Sequence, residues 1–315
     1  DSIAVTDNGI PVMDVSHTGV LVARRGAVST IRQRHQFVWF DRSGRTTVVD
    51  TSHSFSLTSF GSNRGWAISP DGRRVVYGAN SEFGDNLWVK DLPDGPAVRI
   101  TFDSFPSYRP RWSRDGRSIL YLSRRFGEES MLFRRNADGT GTERLVLAAK
   151  QPPGIFEAEL APDESTIVFR KGGTVTVIGG RDLFITRLGG DTTLRPLVAS
   201  AQFDEASIAL SPDGRWLLYE SNESGRVETY ARPFPNVDDS RLQISLDGGR
   251  APMWRRDGRE IFYVNARREL VSVPVTVSGG RLQLGQRRTL FLLAPDVYLA
   301  AAENYRPFDI APDGS

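Results

Sequence analysis

Residues 210–219 read LSPDGRWLLY, and close copies of this decamer recur along the chain. ISPDGRRVVY begins at Ile68, WSRDGRSILY at Trp112, LAPDESTIVF at Leu160 and WRRDGREIFY at Trp254. A truncated copy, IAPDGS, starts at Ile310, and a degenerate one, VSHTGVLVAR, starts at Val15. From Ile68 onward the offsets are 44, 48, 50, 44 and 56 residues. A period of roughly 40–60 residues built around one turn suits a β-propeller blade of four short strands. The repeat predicts an all-β chain of four-stranded antiparallel blades.

Each copy reads as two apolar strands joined by a tight turn. Proline pre-sets φ near −65° at the first central position, the aspartate accepts hydrogen bonds from nearby backbone N–H groups, and glycine takes positive φ without steric cost. Asp71, Asp115, Asp163, Asp213, Asp257 and Asp313 are therefore read as turn-makers before catalytic acids. The copy at 160–169 has Glu164 where the others have glycine, so its turn is expected to close differently. The following runs end in Tyr77, Tyr121, Phe169, Tyr219 and Tyr263 and are almost continuously apolar, as strands packed on both faces are.

Between the copies, 34–50, 86–101, 130–147 and 181–198 each read strand, glycine-bearing turn, strand. The expected organisation is one propeller domain over 1–315, with repeats near 15–50, 64–101, 108–147, 156–198, 206–245 and 251–291. A closing strand over 305–311 would pair with the N-terminal strands and leave no free sheet edge. Six blades are expected, with seven as the alternative. A chain that opens without Met and stops inside a repeat is expected to be a segment of a longer protein.

Several function classes are unsupported. The chain has no cysteine, which removes disulfides and thiolate chemistry. His17, His35 and His53 all lie near the start without metal-ligand spacing, and no G-x-S-x-G, P-loop or dinucleotide fingerprint occurs. No catalytic residue, metal or cofactor is expected. Net charge is +2, and the arginines recur just after the turns (Arg73, Arg117, Arg215, Arg259), spread around a ring rather than along a stripe, which argues against nucleic acid. No apolar run approaches a membrane span.

Binding is expected where connections gather around the channel. Five positions before the serine-equivalent of each turn stand Arg64, Tyr108, Phe156, Ala206, Arg250 and Arg306. Three arginines and two aromatics would suit an anionic or peptide-like partner at one mouth.

The S-P-D-G repeats resemble those of the TolB-type, WD-repeat-like β-propeller family from about Val15 to Ser315. The succession GVLVARRG, FVWFDRSGR, WAISPDGRRVVY, NLWVKDL, RPRWSRDGRSILYLS, LSPDGRWLLYESNESGRVETYARPFP, GGRAPMWRRDGREIFYVN and LVSVPV is similar to the C-terminal extracytoplasmic propellers of bacterial receptor-type serine/threonine kinases. That resemblance implies a sensor or interaction module, periplasmic or at the cell surface, with a protein, peptide or small ligand as partner; the chain is expected to be a monomer. The other reading is a propeller enzyme, or the propeller of a hydrolase with substrate access through the channel. No H-R-D, D-F-G or A-P-E is present, so no kinase residue carries over.

Overall fold

The computed structural model describes residues 13–15, 21–25, 34–56, 65–82, 84–125, 130–148, 154–172, 180–189 and 193–293. These contain strands and no helix. The first sheet links β1 (Met13–Val15), β2 (Leu21–Arg25), β3 (Arg34–Phe40) and β4 (Thr46–Val48), through β5 (Phe55–Ser56), to β6 (Trp66–Ile68), β7 (Arg74–Ser81), β8 (Gly84–Asp91) and β9 (Ala97–Arg99). Three antiparallel sheets of four strands follow: β10 (Ser107–Trp112) to β13 (Arg144–Leu147), β14 (Ile155–Leu160) to β17 (Arg195–Val198), and β18 (Glu205–Leu210) to β21 (Leu242–Gln243). Within these, β11 is Ser118–Arg124, β12 Ser130–Asn136, β15 Thr166–Lys171, β16 Asp182–Arg187, β19 Trp216–Ser221 and β20 Glu228–Pro233. The last sheet holds β22 (Arg250–Trp254), β23 (Glu260–Val264), β24 (Glu269–Ser278), β25 (Arg281–Leu284) and β26 (Arg288–Leu292).

The repeated turn joins the first two strands of each set and is built as its chemistry predicts. Asp71 accepts from the Ser69 hydroxyl at 2.6 Å and the Arg73 N–H at 3.1 Å, and Asp115 and Asp213 repeat the pattern with Ser113 and Ser211. Asp257 holds the Arg259 N–H at 2.9 Å. Asp313, His17, Arg64, Arg306 and the expected closing strand lie outside the described residues.

The turn at 160–169 corrects the expectation that it closes differently. Glu164 adopts φ 56°, and its N–H reaches the Ala161 carbonyl at 2.9 Å, as the glycine N–H does elsewhere. Ala161 has no hydroxyl, and Asp163 takes the Thr166 hydroxyl at 2.6 Å instead. A left-handed non-glycine residue costs about 1–2 kcal/mol. Contacts to the preceding sheet offset that cost: the Glu164 carboxylate accepts the Arg114 N–H at 3.1 Å and meets Arg134 at 3.4 Å.

The turns also tile. A Cβ on Gly214 would lie 3.3 Å from the Pro162 ring, and one on Gly116 or Gly258 would meet Pro70 or Pro212. Each of these three glycines thus sits against the proline of the turn before it.

The sheets face one another through continuous apolar layers. Between β10–β13 and β14–β17 lie Leu120, Leu122, Leu132, Ile155, Ile167 and Phe169. The first and last sheets meet in the same way: Val38 and Phe40 pack with Met253, Phe262 and Leu270, and Phe40 stacks on Phe291 at 5.5 Å. Arg42 crosses this seam to Glu260 at 2.6 and 3.1 Å. Among the described residues, the first and last sheets meet through side-chain packing.

Two stability tests follow from this geometry. Gly214→Val places a β-branched residue at φ 69° against Pro162 and is expected to cost about 1–3 kcal/mol in urea denaturation; an unchanged midpoint would show that the turn is not left-handed there. Phe40→Ala removes a ring that is 1% exposed at the seam and is expected to cost about 3–5 kcal/mol. A loss below about 1 kcal/mol would mean that the seam contributes little.

Candidate functional site

The innermost strand of each set runs toward the repeated turn, so the turns converge at one end of the central channel. There they enclose a cavity of about 330 Å³. Pro70, Arg114, Pro162, Pro212 and Arg256 occupy one repeat position in five successive turns, and Arg111 and Glu159 lie just below.

Arg114 and Arg256 stand where the other turns have proline, and they do different work. The Arg256 guanidinium donates to the carbonyls of Pro70 at 2.5 Å, Ser69 at 3.0 Å and Ile68 at 3.3 Å, tying the last sheet to the turn between β6 and β7. Arg114 is exposed, and among the described residues its guanidinium has no ion-pair partner. Both carboxylates at this mouth serve backbone donors: Glu159 accepts the Leu210 N–H at 3.2 Å and Glu164 that of Arg114.

Deeper in the ring, the innermost strands carry bulges whose left-handed residues include Arg109, Ser207 and Ala251. Carboxylates of the preceding sheet cap the freed N–H groups. Glu157 accepts from Ser207 at 3.0 Å and Ile208 at 2.8 Å, and Glu220 accepts from Ala251 at 2.5 Å. Burial pushes the Glu157 carboxyl up, against the pull of the Arg170, Arg109 and Arg111 guanidiniums. These buried charges are committed to backbone.

Of the rim residues expected from the sequence, the described ones (Tyr108, Phe156, Ala206 and Arg250) sit at the other ends of the innermost strands and do not line this cavity. Tyr108 is buried between two sheets with its hydroxyl bonded to Ser130. Phe156 lies under the Arg170 guanidinium at 5.3 Å, Ala206 is buried, and Arg250 is half-buried at the start of β22. The mouth residues Arg111, Arg114, Glu159, Glu164 and Arg256 were missed, although a signal for three of them was present. Positions 114, 164 and 256 are where the turn departs from proline or glycine. Of the histidines, His35 is buried and His53 accepts or donates at the Tyr77 hydroxyl at 3.0 Å, so neither joins the mouth. Among the described residues no group of three or more His, Asp or Glu is arranged to hold a metal ion.

No family model matches the chain. It is 17% identical to a putative TolB from Agrobacterium tumefaciens, with TM-score 0.58, covering 86% of this chain and 91% of that one. Against a chain of a nidogen/laminin complex the TM-score is 0.60 at 12% identity, covering 90% and 98%. The fold is a β-propeller. By sequence, the chain is 26% identical over 190 residues to a Bacillus subtilis protein described as the uncharacterized peptidase YuxL, a match over 49% of this propeller but only 28% of that relative. No helix among the described residues is long and apolar enough to cross a membrane.

One ionisable group at the end opposite the mouth is unlike the rest. Glu205 opens β18 beside Asp182, Asp204 and Glu223; it is 3% exposed, and its Oε2 has no hydrogen-bond partner among the described residues. Burial, with the Asp182 charge adding to it, pushes its carboxyl up to about 8 from an ordinary 4.5. Between those values the folded state holds a proton that the unfolded state has released. Its contribution to stability is full below the lower value and is lost as pH rises through the upper one. Glu205→Gln is therefore expected to flatten the fall in Tm between about pH 5 and 8 and to raise Tm at pH 8; parallel Tm–pH curves for the two proteins would show that Glu205 is ionised throughout.

Proposed function

We propose that this chain is a single six-bladed propeller acting as a non-catalytic recognition module, which takes a protein, peptide or small extracytoplasmic ligand at the turn-end mouth. The observation that carries this reading is the state of the mouth's charges. Glu159, Glu164 and the turn aspartates are held by hydrogen-bond donors of the scaffold, while Arg114 projects from the rim. Acid–base or nucleophilic work needs a group free to exchange a proton or attack. A mouth whose carboxylates are engaged and whose exposed charge is a guanidinium is suited to holding an anionic or carbonyl-rich partner.

The run from Leu210 to Pro235, with its likeness to receptor-kinase propellers, supports placing the module outside the cytoplasm as the sensory part of such a receptor. A second reading has support in the Bacillus relative, which is described as a peptidase and is more than three times the matched length. On that reading the propeller is the accessory domain of a hydrolase and admits substrate through its channel.

A thermal-shift screen of the purified chain against short peptides, peptidoglycan fragments, nucleotides and divalent metals tests the recognition reading. A ligand at a hundred times its Kd stabilises the native state by about 2.7 kcal/mol. The expected result is a peptide or peptidoglycan hit that Arg114→Glu removes without changing the unliganded Tm. Absence of any hit that depends on Arg114, or cleavage of a chromogenic peptide by the chain alone, would overturn it.

A further inference from the structure

The mouth is not an isolated cavity. Ala161 and Pro162 also line a second cavity, of about 340 Å³, between the β14–β17 and β18–β21 sheets. Ile185, Arg195 and Pro235 are shared between that cavity and a third, of about 470 Å³, at the outer rim. Together the three form a radial groove from the channel to the edge of the ring.

Its counterpart between the next pair of sheets is filled by the protein itself. There β24 runs past the end of its sheet and returns as β25, pairing Val275 with Leu284 and Val277 with Leu282. Val275 and Leu282 are buried with Trp216 and Ala231, and Leu242 and Leu284 pack against them. An extended segment bearing leucines thus lies against Ala231 and Leu242, which face each other across β20 and β21.

The open groove has the same register and different side chains. Ile185 pairs with Arg195 as Ala231 pairs with Leu242, and Arg187 stands opposite Thr166 as Pro233 stands opposite Trp216. Arg187 and Arg195 therefore replace Pro233 and Leu242. Both are exposed, and neither has an ion-pair partner among the described residues. Asp163 and Asp213, on the same walls, are occupied by their turns. Ile185, Leu197, Phe234 and Pro235 keep the groove partly apolar, while Asp238 and Asp239 make its outer end acidic.

The geometry points to this groove as the docking site of an extended acidic peptide. Its carboxylates meet Arg187 and Arg195, its apolar residues lie along Ile185 and Phe234, and a basic residue sits at the outer rim beside Asp238 and Asp239. Two planar guanidiniums select carboxylates, and the apolar lining, together with the leucine-bearing segment in the neighbouring groove, selects a polypeptide over an anionic polysaccharide. This inference rests on the reading of the propeller as a recognition module and adds to the mouth a second docking site with its own ligand chemistry.

The test is fluorescence anisotropy with the whole chain and a labelled octapeptide of alternating leucine and aspartate that carries one terminal lysine. Expected are saturable binding that weakens with added salt, at least a tenfold loss in Arg187→Glu/Arg195→Glu, and no more than a twofold loss in Arg288→Glu, an exposed position on β26 away from the groove. The double variant's unliganded melting curve is expected to match the parent's, because both side chains are solvent-facing. Loss in Arg114→Glu with none in the double variant would overturn the groove and leave the mouth as the site. Equal binding of oligogalacturonate, or of a peptide with lysine in place of aspartate, would overturn the assigned ligand. Absence of octapeptide binding would overturn the inference alone, since a mouth ligand found by thermal shift would stand.

Discussion

The left-handed residue at the inner turn governs the rest of the ring. Sheets arranged around an axis converge most tightly at their innermost strands, where a reversal of direction must fit in little space. A glycine with φ near 70° turns the chain there and leaves room for the proline of the preceding turn. The same contact therefore closes one sheet locally and spaces it from its neighbour. The departure at 164 shows how strict the requirement is. Glutamate adopts the strained conformation rather than altering the turn, and the preceding position has changed too: Arg114, unlike proline, has an N–H, and Glu164 accepts it. Two substitutions in different sheets make one hydrogen bond.

A second constraint comes from the bulges in the innermost strands. A bulge frees backbone N–H groups inside the ring, and buried donors without partners are costly. Glu157 and Glu220 provide acceptors from the adjacent sheet, so carboxylates are buried here for reasons of backbone geometry. Buried ionisable residues in a channel invite a catalytic reading. The hydrogen bonds distinguish the cases: Glu157 and Glu220 are bound to N–H groups of a neighbouring strand, whereas one Glu205 oxygen has no partner among the described residues and like charges lie around it.

Much of the architecture was legible in the sequence because it is locally encoded. Alternation of strand and turn, the hydrogen-bonding role of Asp71, Asp115, Asp163 and Asp213, and the all-β class follow from turn chemistry within ten residues. The site was less legible because it depends on differences between repeats, which acquire meaning only once the register places them. Arg195 and Leu242 are far apart in the chain, yet they occupy equivalent positions in adjacent sheets. Tyr108 and Phe156 illustrate the converse. Their shared repeat position suggested one exposed ring, but the bulges and neighbouring sheets send Tyr108 into the core and Phe156 under Arg170.

A repeat scaffold makes each interface an internal control for the others. Where β25 fills its groove, the wall positions are proline and leucine, and apolar contact suffices. Where no segment of the described chain fills the groove, the walls carry two exposed arginines beside isoleucine and phenylalanine. Folding alone gives no reason to place unpaired guanidiniums against an apolar cleft, since surface charge contributes little to stability and an open apolar cleft forgoes burial. The combination is economical only if something outside these strands completes the interface. The same reasoning separates Arg256 from Arg114 at the mouth: the first is spent on backbone carbonyls of another sheet, and the second is left to solvent. In this ring, function is read from the positions where a repeat departs from its neighbours without a structural partner to account for the change.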